Sequence, residues 1–244
     1  DERLVERAED DGLAGEATEP AALLGLELAT ALAVLIKAPR TPADPDANPL
    51  RELGALGNRQ VWLTLATGAI GFGGFFAVYT YIASTVQTTL GGDETAVAIM
   101  LMVAGIGMTV FNLVMGALAD RNMNATAYLA FGGGALVLGL YPLAAGSGLW
   151  PMAAVVVLMG VLGGVSTVMQ TRLMNVAGDA QQLAASLHHA AFNTANALGP
   201  FLAARVVAGG HGFPATGYVG AALAVAGLLL FSLTVWDARR RGIE

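Results

Sequence analysis

Stretches free of Asp, Glu, Lys and Arg recur along the chain at residues 60–92, 95–119, 122–171, 180–204 and 206–236. A hydrocarbon layer about 30 Å thick is crossed by roughly 20 apolar residues of helix, so each stretch can cross. The stretch 122–171 holds two crossings, because Gly146-Ser-Gly-Leu-Trp150-Pro151 breaks it with a turn signal and a tryptophan suited to a membrane surface. Six spans are therefore predicted, at 60–83, 96–118, 125–145, 150–170, 182–206 and 215–236. A further apolar segment, 20–37, is interrupted by Glu27 and is marginal as a seventh.

The connections between spans alternate in charge. Arg40, Arg51 and Arg59 precede the first span, Arg121 follows the second, Arg172 the fourth, and Arg239, Arg240 and Arg241 the sixth. By contrast 84–95, 145–149 and 207–214 contain no Lys or Arg. Basic residues near span ends are retained on the cytoplasmic side, so both ends of the six-span block, the C-terminus included, are expected there. Arg205 is the one base inside a span, within a turn of its outer end, where a long side chain reaches the headgroups.

Composition agrees with lipid as the solvent. Only 12% of the 244 residues are charged and 55% are apolar, with a mean hydropathy of +0.63, whereas a soluble domain is about 25% charged. That leaves too little polar surface for a soluble enzyme. Eight acids and two bases fall within residues 1–19, and the rest of the chain balances at ten of each. The acidity thus describes a tail and not the main body, which gives no indication of a nucleic-acid partner. With no cysteine there is no thiolate metal site or iron–sulfur cluster, and no cofactor or metal is expected.

Glycine is dense within the spans, and Gly160-x-x-x-Gly164 has the spacing that lets helices approach in lipid. Neither Gly71-Phe-Gly73, which meets Phe76, nor Gly105-Ile-Gly107, which meets Val110, completes a G-x-G-x-x-G nucleotide-binding loop. Gly164-Val-Ser166 lacks the following glycine of a nucleophile elbow. An intramembrane hydrolase has no nucleophile and base at usable spacing.

Polar residues in the hydrocarbon are costly and mark functional positions. In the span 182–206, Asn193, Asn196 and Pro200 lie within about 40° of His189 at 100° per residue. His188 points about 100° away, toward Phe192, Ala195 and Gly199. His189, Asn193 and Asn196 are therefore expected to line a solute path, against the alternative that they serve interhelical hydrogen bonding alone. In the span 60–83, Phe72, Phe76 and Tyr79 form an aromatic face beside the small face of Thr67, Gly71, Gly74 and Val78, and that aromatic face is expected to meet the cavity. Asn112 is a further mid-span amide and joins the candidate lining, with packing as its alternative role.

After the second span the chain reads Gly116-Ala-Leu118-Ala119-Asp120-Arg121. This resembles the G-x-L-A-D-R motif of the major facilitator superfamily, found in the cytoplasmic loop between the second and third helix of each six-helix half. The family's following Gly and basic residues are replaced by Asn122, Met123 and Asn124, which implies a weaker charge clamp. Asn58 through Ala83, with Gly71-Phe-Gly-Gly-Phe-Phe and Tyr79-Thr-Tyr81, is similar to the seventh helix of the arabinose-efflux and drug:proton antiporter branch. Gln170-Thr-Arg172 through His189, Phe192, Asn193, Asn196 and Gly199 is similar to its tenth-to-eleventh-helix region. Departures are Ser84, where relatives often have Pro, and His188, where they often have Asn.

The resemblance implies an all-α membrane protein: one six-transmembrane-helix half of a major facilitator fold, plus a partial preceding helix, in a bacterial cytoplasmic membrane. Residues 1–19 are then an acidic tail, 20–37 a remnant of the sixth helix, 38–59 a Pro-rich cytoplasmic linker with a short amphipathic helix at 50–56, 60–236 the bundle, and 237–244 a basic cytoplasmic tail. It also implies transport and not catalysis: efflux of a sugar or drug-like small-molecule solute, coupled to a proton in the complete carrier, with Gly116, Asp120 and Arg121 in a cytoplasmic gate. A complete carrier has two such halves around a midplane site. The expected partners are therefore the lipid bilayer and either a missing N-terminal six-helix half or a second copy of this chain. The alternative is a non-transporting membrane fragment or scaffold.

Overall fold

The computed structural model describes residues 24–25, 27–37 and 52–242. The acidic tail at 1–19 and the Pro-rich segment 38–49 lie outside the described residues. Residues 27–37 are helical and belong to a unit of their own, with Leu28, Leu32, Leu35 and Ile36 exposed.

The second unit is a helical bundle: α1 (Arg59–Thr89), α2 (Glu94–Arg121), α3 (Met123–Ser147), α4 (Leu149–Ala177), α5 (Gln181–Val206) and α6 (Thr216–Arg240). A 3-10 helix at Leu53–Gly57 precedes α1, within the segment where a short amphipathic helix is expected. Among the described residues, five helices are long and apolar enough to cross a membrane: α1 to α4 and the segment Phe213–Arg240 that contains α6. The remaining predicted span, α5, is 26 residues long, or about 39 Å. It falls short in apolarity, because His188, His189, Asn193 and Asn196 interrupt it.

The helices run past the apolar stretches to polar caps. Asn58, Asp93 and Asn122 each accept a hydrogen bond from a backbone N–H in the first turn of α1, α2 and α3, satisfying donors that lipid would leave orphaned. The break at 146–149 is present as read: α3 ends at Ser147 and α4 begins at Leu149, with Gly148 between them at φ 128°, a conformation that a side chain disfavours. The basic tail expected from residue 237 is helical up to Arg240.

Helix α1 is the hub and packs against α4, α5 and α6, while α3 lies on α6 and α2 on α4. Small residues permit these contacts. A methyl group on Gly160 would overlap the Gly107 carbonyl, and one on Gly107 the Val157 backbone, so α2 and α4 touch backbone to backbone. Gly74 meets Gly220 in the same way between α1 and α6, and Gly199 meets Gly73 between α5 and α1. Phe72, Phe75, Phe131, Phe231, Met159 and Met169 fill the core. At this close approach such helices gain dispersion contacts in a solvent where no hydrophobic drive brings them together.

Candidate functional site

Helix α5 divides its faces as its rotation requires. Ala184, His188, Ala191, Ala195, Gly199 and Ala203 are buried toward α1, and His189, Asn193 and Asn196 are exposed on the outside of the bundle. The His188 ring lies 4.5 Å from that of Phe192, which in turn lies 4.5 Å from Phe72. The two adjacent histidines thus have unequal surroundings: one sits in aromatic packing, the other on an open polar stripe. None of His189, Asn193 and Asn196 has a side-chain hydrogen bond among the described residues. Asn193 stands about 18 Å from the start of a helix about 39 Å long, near its midpoint.

On α2, Asn112 is exposed and its Oδ1 accepts from the Thr167 hydroxyl of α4 at 3.2 Å. The aromatic face of α1 is graded. Phe72 is 4% exposed and stacks on Phe75 at 5.4 Å, so it belongs to the core and not to the bundle surface. Phe76 is half-buried, and Tyr79 is exposed at the far end, its ring 5.3 Å from Phe75.

The motif after α2 sits at the helix end. Asp120 and Arg121 are exposed, and neither has an ion-pair partner among the described residues. Asn122 interrupts the helix and caps α3 through Ala125 N–H at 3.0 Å. Gly116 faces open space.

Sequence reasoning missed a buried polar network at the end of the bundle that carries the arginines. Gln60 of α1 is 1% exposed, Arg172 of α4 2% and Asp237 of α6 5%. The Gln60 Nε2 donates to Asp237 Oδ2 at 2.8 Å and to the Thr234 carbonyl at 3.2 Å, while Arg172 donates to Gln60 Oε1 at 3.3 Å and lies 5.7 Å from the Phe231 ring centroid. Arg59 and Arg241 pair with the same carboxylate at 3.4 and 3.1 Å. Charges buried this far from water persist only when paired and hydrogen-bonded. The i,i+4 spacing of Asp237 and Arg241 was a readable part of this signal. A second tie joins the segment before α1 to α5: Glu52 Oε2 accepts from the Leu183 N–H at 2.9 Å.

Residues 61–242 match the family model of the Major Facilitator Superfamily. The chain is 30% identical over 209 residues to the "Inner membrane transport protein YdhP" of Escherichia coli (strain K12), covering 86% of this chain and 54% of that protein. It is 28% identical over 182 residues to the "Uncharacterized MFS-type transporter YtbD" of Bacillus subtilis (strain 168), covering 71% of this chain and 44% of that one. To the "Chloramphenicol resistance protein" of Streptomyces lividans it is 31% identical over 175 residues, 70% of this chain and 43% of that protein. The chain spans about half the length of the curated relatives it matches.

Proposed function

This chain belongs to the Major Facilitator Superfamily, and from that premise we propose that it supplies one half of a proton-coupled efflux carrier, with the exposed face of α5 lining the solute path. Three polar side chains on the outside of α5, near its middle and without side-chain hydrogen bonds among the described residues, carry the reading. In lipid such groups are costly; against a second six-helix half they face a polar cavity. Either the remainder of a longer protein or a second copy would complete that cavity. Asn112 and Tyr79 extend the lining, with Phe76 at its edge. Phe72 supports His188 and the core from behind.

Asp120 and Arg121 lie at the arginine-bearing end, half a membrane from Asn193, and act in a gate without touching solute. That end, with the C-terminus, is cytoplasmic in this reading. The name of the Streptomyces lividans relative supports efflux of a drug-like molecule as the transport direction and class. The test is uptake of chloramphenicol into everted membrane vesicles containing the complete carrier. A proton gradient should drive uptake, Asn193→Ala should abolish most of it, and Asp120→Asn should slow it while leaving solute affinity within about tenfold, or 1.4 kcal/mol. Full transport by Asn193→Ala would reject the assignment of the face.

A further inference from the structure

We propose that the arginine-bearing end of α1 and α6 holds the head group of an anionic phospholipid. Four guanidiniums gather there: Arg59 at the start of α1, and Arg239, Arg240 and Arg241 at the end of α6. The carboxylate placed among them, Asp237, is turned inward and consumed by Gln60, Arg59 and Arg241. Arg239 and Arg240 are exposed and have no acidic partner among the described residues.

The aromatic surroundings suit a lipid. The Arg240 guanidinium lies over the Trp236 ring, 3.8 Å from its centroid. That stacking occupies the face of the cation and leaves its N–H edge, which matches the paired oxygens of a phosphate. Trp236 is 48% exposed, and Trp62 of α1 is 55% exposed with its Nε1–H donating to the Leu56 carbonyl. Above Trp236 the exposed large apolar residues of α6 are Leu233, Leu229, Val225 and Tyr218, a stripe on which acyl chains can lie. Tyr218 and Trp236 are about 27 Å apart along the helix, close to the thickness of the hydrocarbon layer. Arg239 and Arg240 therefore fall at head-group depth. A zwitterionic lipid brings its own ammonium to the phosphate, so the unneutralised arginines select a lipid with net negative charge. The inference rests on the membrane placement of the bundle and not on its transport role.

The probe is brominated phosphatidylglycerol, mixed stepwise into phosphatidylcholine bilayers holding the full chain with Trp62→Phe and Trp150→Phe, so that Trp236 alone reports quenching. Phosphatidylglycerol should bind about tenfold more tightly than phosphatidylcholine, and Arg239→Gln with Arg240→Gln should bring the two to parity. The Arg239→Lys, Arg240→Lys pair should keep the preference. Equal binding of both lipids by the starting protein, or a preference that survives the glutamine pair, overturns the proposal. If the glutamine pair fails to insert, a salt titration of the starting protein decides: the preference must fall as sodium chloride rises, and indifference to salt overturns it. Soluble glycerol phosphate should leave the quenching unchanged; displacement by it would make a free phosphate ester the ligand and reject the lipid.

Discussion

Gln60 and Asp237, 177 residues apart in the chain, share a 2.8 Å hydrogen bond inside the bundle, and the same amide accepts from Arg172. One side chain therefore joins the ends of α1, α4 and α6. Replacing Gln60 by Leu keeps the volume and removes an acceptor from a buried guanidinium, at a cost of about 1–3 kcal/mol. Thermal unfolding in detergent should show a lower Tm for Gln60→Leu, and Gln60→Glu, which retains an acceptor for Arg172 but repels Asp237, should not restore it. An unchanged Tm in Gln60→Leu would mean the network contributes nothing.

The Glu52 carboxylate caps α5 from outside the helix, since Ala180 at its N-cap position offers no side-chain oxygen. Removing it in Glu52→Ala should cost about 1 kcal/mol, as loss of an ordinary cap does. The effect should be local: amide hydrogen exchange should accelerate in the first turn of α5 and remain unchanged in α3. Acceleration spread evenly over the bundle would contradict a capping role.

Close backbone contact makes two glycines intolerant and a third tolerant on one helix pair. Gly160→Ala forces α2 and α4 apart and should cost about 1–3 kcal/mol, as overpacking does. Gly105→Ala on α2 meets nothing within 4 Å and should leave the Tm unchanged or raised. Equal destabilisation by the two would show that the contact at Gly107 and Gly160 is not the origin of the effect.

The inequality of the histidines separates packing from path. His188, 5% exposed against Phe192, should lose stability as His188→Ala while a folded remnant keeps its solute affinity. His189→Ala should change stability by no more than about 0.5 kcal/mol, as surface changes do, and should impair transport. Tm and vesicle uptake measured on the pair decide it; a stability loss confined to His189→Ala would reverse the faces.

The division of α5 into a buried and an exposed face was legible in the sequence, because 100° per residue is a local rule that needs no neighbours. The turn at Gly146 to Trp150 was legible for the same reason. What lies against a face is a long-range property. Phe72, Phe76 and Tyr79 share a side of α1, but Phe192 arrives from α5 to bury Phe72, and nothing within α1 records it. Arg172 reads as a charge after the fourth span and Asp237 falls within a basic tail, since the glutamine that joins them is 112 residues from one and 177 from the other. Asp93 and Asn122 carry α2 and α3 beyond their apolar runs into a polar layer where hydropathy gives no signal.

The central claim is that the α5 face bearing Asn193 meets a water-filled path and not lipid, and since this chain carries no cysteine, an engineered thiol is measured against the unsubstituted carrier as the blank. Single cysteines at Asn193 and at Leu229, the latter 65% exposed on the apolar stripe of α6, both lie on the outside of this bundle. In membranes containing the complete carrier, a charged water-soluble thiol reagent should modify Asn193→Cys readily and Leu229→Cys hardly at all. Two positions that react equally slowly would place the polar face of α5 in lipid or in dry protein contact, and would contradict the account.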